Sequence, residues 1–238
     1  MIARLVKGLV FSNTWIGLAC LAQIAYSSLL VGLEPDLDIM LFACFSTIAV
    51  YNWQRLVRVS GQAPEAHSAR HQWIEQNRSW LWTFMGTALI GSVYFLLQLS
   101  RTFQVTVAFF AVITFFYTLP WFSKTSRKGL RELPYVKVFL IALCWAGVTA
   151  FLPLLEEGAV GWRIALLVAT ERFFFILAIT IPFDVRDLPF DNAEKKTFPQ
   201  LFGVPKALNY ATDALVVAFI LVVGILRTYE VHLSLIHI

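Results

Sequence analysis

Charge is what this sequence has least of. Only 14% of its 238 residues are Asp, Glu, Lys or Arg, against roughly a quarter in an ordinary soluble domain. Polar length is missing too. The longest polar gap, Gln54 to Ser79, has room for helix ends and a loop but not for a core, so no soluble domain is left over. There are three cysteines, Cys20, Cys44 and Cys144, and each lies inside an apolar run, where a reduced thiol acts as a small hydrophobe. No chemistry is assigned to them. Glycine-rich nucleotide loops, zinc-ligand spacings, nucleophile elbows, internal repeats and low-complexity tracts are all absent. The first apolar run has the length of a full span and no small-residue cleavage pattern after it, so it reads as a retained helix and not as a cleaved signal.

What the chain has instead is apolar length, with 58% hydrophobic residues and a mean hydropathy of +0.70. Its solvent is expected to be a lipid bilayer. Backbone amides cannot stay unpaired in hydrocarbon, and long unbroken apolar runs do not fit the alternating pattern of a barrel. The expectation is therefore an all-α, polytopic transmembrane helical bundle. A span needs roughly 20 apolar residues, and seven stretches qualify: Leu9 to Leu33, Leu37 to Asn52, Trp80 to Leu99, Phe103 to Phe122, Leu133 to Leu155, Trp162 to Phe183 and Ala211 to Leu226. The second is short and is expected to continue helically into the following loop.

If these helices alternate, 15 of the 19 Lys and Arg fall on one side, from Arg4 and Lys7 to Lys195, Lys196 and Lys206. The other side carries Arg101, Arg163 and Arg227 beside an acidic turn with Glu34, Asp36 and Asp38. The positive-inside rule then places the N-terminus and the loops after the second, fourth and sixth spans in the cytoplasm, with the protein in the cell's inner membrane. A net charge of +4 spread over such loops gives no reason to expect nucleic acid as a partner.

The most informative stretch closes the sixth span: Ile181-Pro182-Phe183-Asp184-Val185-Arg186-Asp187-Leu188-Pro189-Phe190-Asp191. On a continuing helix Asp184, Asp187 and Asp191 share one face, and Pro189 is expected to kink or unwind the segment while still gathering the three. Carboxylates held together repel one another unless a cation neutralises them. A hard ion such as Mg²⁺, which keeps waters and bridges carboxylates to a phosphate, is one reading. The other is a set of solvated acids paired with Arg186, Lys195 and Lys196.

Spacing alone leaves the two level, and the flanking residues add to the first. The order Asp184, Asp187, Asp191, Lys196-Thr197-Phe198-Pro199 and Gly203 resembles the second aspartate motif of the UbiA superfamily of intramembrane prenyltransferases. The loop Tyr117-Thr118-Leu119-Pro120-Trp121-Phe122-Ser123-Lys124 is similar, with looser spacing, to that family's Tyr-containing basic segment. The resemblance covers nearly the whole chain in helix order. It implies a barrel-like helical bundle, a Mg²⁺-diphosphate site with Asp184, Asp187 and Asp191 as metal ligands and catalytic groups, and transfer of a prenyl group to an aromatic or other lipophilic acceptor. It also implies Lys124 and Arg127 as helpers in neutralising the diphosphate.

The first motif departs from the family. Tyr51-Asn52-Trp53-Gln54-Arg55-Leu56-Val57-Arg58 keeps Asn52 but has no aspartates, and two arginines stand there. Arg55 and Arg58 could grip phosphate oxygens in bidentate fashion in place of one metal ion, or they could be plain flank charges. The same loss fits a protein that binds an isoprenoid phosphate and does no chemistry. Glu171 and Arg172 stand near the middle of the sixth span, with Arg172 about 18 Å of helix rise from Asp184. Ionisable groups at that depth face an interior by default, either as contacts for the polar end of the acceptor or as a structural ion pair. Neighbours on a helix point about 100° apart, so each is expected to need a partner on another helix. Asp213, near the start of the seventh span, reads as an interfacial or cap residue.

The last six residues, Leu233-Ser234-Leu235-Ile236-His237-Ile238, read like the translated end of a sequencing-library adaptor. The expectation is one membrane domain over residues 1–232, cut short of the family's nine helices, with 233–238 foreign to the natural chain.

Overall fold

A computed structural model describes residues 2–59, 69–118, 136–158, 160–190 and 197–236, with side chains over 6–57, 72–112, 137–158, 160–189 and 197–228. Every regular element among them is a helix, so the chain is all-α. Arg78–Leu96, Lys137–Glu156, Trp162–Asp187 and Val204–Thr228 are each long and apolar enough to cross a membrane, and Thr14–Leu30 and Arg101–Val112 are shorter apolar helices. Large apolar side chains face outward along them, with Ile90, Val105 and Phe219 exposed by 72%, 71% and 67%. That much outward apolar surface suits lipid as the surrounding medium.

The chain packs as two compact units. The first comprises Met1–Tyr26 and Pro35–Gln104. It opens with α1 (Ile2–Phe11) and all but the last turn of α2 (Thr14–Leu30), so the first expected span is divided. The division falls at Ser12–Asn13, where Asn13 adopts φ 60°, a left-handed conformation that Asn tolerates better than most side chains. Two buried side chains hold this break. Asn13 Nδ2 donates to Asn52 Oδ1 at 3.0 Å, and Asn52 Nδ2 donates to Ser12 O at 2.7 Å and to Ile48 O at 2.9 Å. Asn52 lies on α3 (Leu37–Val59), which starts where Asp36 Oδ1 accepts the backbone N–H groups of Asp38 and Ile39. The expected helical continuation of the second span past Asn52 is present. Helices α2 and α3 approach closely at Gly17: a Cβ there would come within 2.6 Å of Ile48 Cγ1 and 3.1 Å of Cys44 O.

Beyond α3 come α4 (Ala69–Gln76), α5 (Arg78–Leu96) and α6 (Arg101–Thr118). Ser100 Oγ accepts from Phe103 N–H, and Gln104 Nε2 donates to Leu96 O and Leu99 O. The last carbonyl of α5, that of Leu96, and the Leu99 carbonyl in the turn after it thus find a donor at the start of α6. Phe11, Trp73, Trp80 and Phe84 form a chain of ring contacts at 5.6, 6.3 and 5.0 Å, the amphipathic aromatic content common where a membrane meets water.

The second unit comprises Ser27–Glu34 and Val105–Ile238. Its helices are α7 (Val136–Ala146), α8 (Leu152–Glu156), α9 (Trp162–Asp187), α10 (Phe198–Phe202) and α11 (Val204–Ile236). A π-helical turn, Gly147–Phe151, joins α7 to α8. Its location follows from Pro153. Proline has no N–H to give to the carbonyl four residues back, which belongs to Thr149. Ser27 Oγ fills that vacancy by donating to Thr149 O at 2.7 Å. Gly147 lets the widened turn pass Phe110, whose Cζ would lie 2.7 Å from an added Cβ. The core here is built from Val138, Ala142, Ile176, Leu177, Ile181, Phe198, Ala207 and Ala211, with α9 packed between α7 and α11.

Candidate functional site

Helix α9 leaves its α-helical hydrogen bonding just before Pro189, where a kinked or unwound segment is anticipated. It runs through Pro182 as far as Asp187 and passes into a 3₁₀ turn, Leu188–Phe190. Leu188, just before Pro189, keeps right-handed helical angles (φ −49°, ψ −41°), and its N–H turns to the Val185 carbonyl three residues back, the bonding of a tighter 3₁₀ turn. Asp184 and Asp187 therefore sit one turn apart on regular helix, on one side of it. Asp191 lies outside the described residues, as do Lys124, Arg127 and Lys196, and Arg58 is described in its backbone only.

The two aspartates differ in setting. Asp184 is 3% exposed, and its Oδ1 accepts from the ammonium of Lys137 at 2.5 Å, an ion pair that ties the first turn of α7 to the last turn of α9. Asp187 is much more open, and its Oδ1 accepts from Arg186 Nε at 2.8 Å. The Arg186 guanidinium also lies over the Phe183 ring at 5.0 Å. An exposed pair of this kind contributes little to stability, so Asp187 is held loosely and Asp184 firmly. By sequence Lys137 falls among the flank charges. Nothing local marks it, because its partner stands 47 positions away.

Among the described residues no group of three or more His, Cys, Asp or Glu is gathered to hold a metal ion. Asp184 and Asp187 are nevertheless hard oxygen donors one turn apart. One or two carboxylates completed by waters and substrate phosphates is the usual Mg²⁺ arrangement. The donor set fits the ion, and each carboxylate already has a cationic neighbour that the ion would have to displace or tolerate.

The remaining motif residues build backbone. Gln200 Oε1 accepts from Thr197 N–H at 2.9 Å at the start of α10. Phe198 and Pro199 are buried, Phe198 within the core cluster. Gly203 turns the chain into α11 with φ 79° and ψ 154°, a conformation essentially restricted to glycine. The segment that follows the aspartates thus packs as a short helix against α9 and α11. Asp213 is exposed on α11.

Deeper along α9, Glu171 and Arg172 are 3% and 2% exposed. Arg172 has the expected partner on another helix: its Nη2 donates to Ser27 Oγ at 3.2 Å, which in turn donates to Thr149 O. Its Nε stands 3.5 Å from Glu171 Oε2, so these neighbours also pair with each other, and its guanidinium lies 5.9 Å from the Phe175 ring centre. In the same unit, next to Ser27 in the chain, Ser28 Oγ donates to Glu157 Oε1 at 2.8 Å.

Asn52, Arg55 and Arg58 belong to the first unit. The Asn52 amide is occupied by Ser12, Ile48 and Asn13, and Arg55 is half-buried on α3. No family model, curated protein or solved structure matches this chain.

Proposed function

We propose that this chain is a membrane prenyltransferase of the UbiA kind, which moves a prenyl group from a prenyl diphosphate to an aromatic or other lipophilic acceptor. The observation that carries the reading is the pair Asp184 and Asp187, one turn apart at the end of a membrane-spanning helix and followed in sequence by Asp191 and the α10 turn. In this reading the protein lies in the cell's inner membrane with this end of α9 and the N-terminus in the cytoplasm, as the distribution of basic residues favours.

Asp184 and Asp187, with Asp191, would hold Mg²⁺, which supplies positive charge against the diphosphate leaving group. Lys137, and in the sequence Lys124 and Arg127, add positive charge on the same side. The allylic carbon–oxygen bond breaks with its electron pair leaving on diphosphate. The acceptor carbon then bonds to the allylic carbon and releases a proton. An allylic cation survives only where water is excluded and aromatic faces are near. Phe139, Phe173 and Phe174 provide such faces on α7 and α9, with ring centres 6.4 and 5.6 Å apart. Glu171 and Arg172, about 18 Å deeper by helix rise, suit the polar end of an acceptor.

The lack of aspartates in the first motif, together with the Lys137 ion pair on Asp184, supports a second reading: a non-catalytic binder of isoprenoid phosphates. One experiment separates the two. Purified protein is given a panel of prenyl diphosphates and Mg²⁺, and diphosphate release is followed beside binding. Release that disappears in Asp187→Asn supports the enzyme. Saturable binding without release supports the binder.

A further inference from the structure

The ammonium of Lys137 stands in the first turn of α7, where the positive end of the helix dipole disfavours a cation. A lysine there needs an anion to offset the repulsion, and Asp184 is that anion. The two members of the pair are unequal. Asp184 is fixed on α9 with a side chain 4% exposed, whereas the Lys137 side chain is 25% exposed on a flexible four-carbon stem. One carboxylate is therefore immobile, and the cation beside it is able to swing.

We propose that Lys137 is a resident counter-cation of the aspartate site, exchanged from Asp184 to a phosphate oxygen when a divalent cation and a diphosphate bind. This inference rests on the reading that Asp184 and Asp187 hold the cation. Before binding, Lys137 keeps a buried carboxylate neutralised. As the divalent ion takes Asp184, the ammonium is repelled, and the incoming diphosphate offers it a new anionic partner. Lys137 then selects for the metal and diphosphate together and against the metal alone. That compensates for a first motif that lacks its aspartates.

A merely structural tie between α7 and α9 predicts that loss of the lysine charge leaves metal binding unchanged or weaker. Exchange predicts the reverse. The test measures Mn²⁺ binding to the full chain in detergent by electron paramagnetic resonance, with and without inorganic diphosphate, in the wild type, Lys137→Gln, Lys137→Arg and Asp184→Asn. Glutamine can still hydrogen-bond to Asp184 but carries no charge. Lys137→Gln is expected to bind Mn²⁺ alone more than about tenfold more tightly than the wild type, since a like charge at contact distance has been removed. Its further gain on adding diphosphate should be smaller than in the wild type. Lys137→Arg should behave as the wild type, and Asp184→Asn should bind poorly.

Unchanged or weaker Mn²⁺ binding in Lys137→Gln, with binding still lost in Asp184→Asn, overturns the exchange while leaving the metal site standing. Absence of Mn²⁺ binding in every form overturns both. A measurement on wild-type protein covers the case in which Lys137→Gln does not fold. Amine acylation at Lys137, read by mass spectrometry, should rise with Mn²⁺ and fall again when diphosphate is added. Labelling that is indifferent to both contradicts the proposal.

Discussion

Asn52 is the residue whose surroundings say most about what a polar group in an apolar helix is for. Both of its amide hydrogens and its oxygen are taken by Ser12, Ile48 and Asn13, so replacing it strands buried polar groups around the α1–α2 break. Asn52→Leu should cost about 2–4 kcal/mol, given roughly 1–3 kcal/mol for each buried group left unsatisfied, read from thermal unfolding in detergent. A loss under about 0.5 kcal/mol would mean that the break holds without it. Arg172 invites a similar test. Arg172→Met leaves Glu171 buried beside no cation and should destabilise by about 3–5 kcal/mol. Glu171→Gln combined with Arg172→Met should recover much of that loss, because the uncompensated charge is gone. If the double variant is as unstable as the single one, the pair is not what matters there. In the sequence Glu171 and Arg172 stand out by depth alone. Lys137 does not stand out, because a basic residue at a helix start looks like any flank charge until α7 and α9 pack together.

At the scale of elements, the apolar runs place the helices well and their interruptions poorly. Every expected span coincides with helix over most of its length, because bilayer thickness and backbone hydrogen bonding leave little choice. The break at Ser12–Asn13 escapes a reading of breakers because it contains neither Gly nor Pro. Its signal is a short polar run, Ser12-Asn13-Thr14, inside an apolar stretch. The end of α9 is anticipated at Pro189 as a kink or an unwinding, and the form it takes is a 3₁₀ turn after Asp187. The π-turn before Pro153 needs a partner from α2 that local sequence does not reveal. That partnership is testable by a double-mutant cycle. Ser27→Ala should destabilise by about 1–3 kcal/mol by removing the buried hydroxyl that donates to Thr149 O and accepts from Arg172. In a Pro153→Ala background the new residue supplies the backbone N–H that proline lacks, so the same substitution should cost less than about half as much. Equal losses in both backgrounds would contradict the assignment. Gly203→Ala should cost about 1–3 kcal/mol because φ 79° with ψ 154° suits only glycine, and protease sensitivity near α10 should rise with it.

For the molecule as a whole, the all-α membrane architecture is legible because composition alone excludes the alternatives. Its division into two units is not. Each unit is assembled from two separate segments of the chain, with Ser27–Glu34 joining the distant remainder of the second by hydrogen bonds to Thr149 and Glu157. The candidate site is legible only where its residues are close in sequence. Asp184 and Asp187 declare themselves by spacing, and the Thr197–Gly203 segment by resemblance, whose physical content is a capped short helix and a glycine-only turn. The central claim is that the carboxylates ending α9 promote departure of diphosphate from a prenyl chain. The most direct measurement is Mg²⁺-dependent diphosphate release by the wild type and Asp187→Asn, with folding verified by matching thermal unfolding. Release in the wild type should fall by about 100-fold or more in the variant, the usual scale for losing one preorganised charge-stabilising group. Equal release from both proteins, or saturable substrate binding with none from either, would contradict the claim.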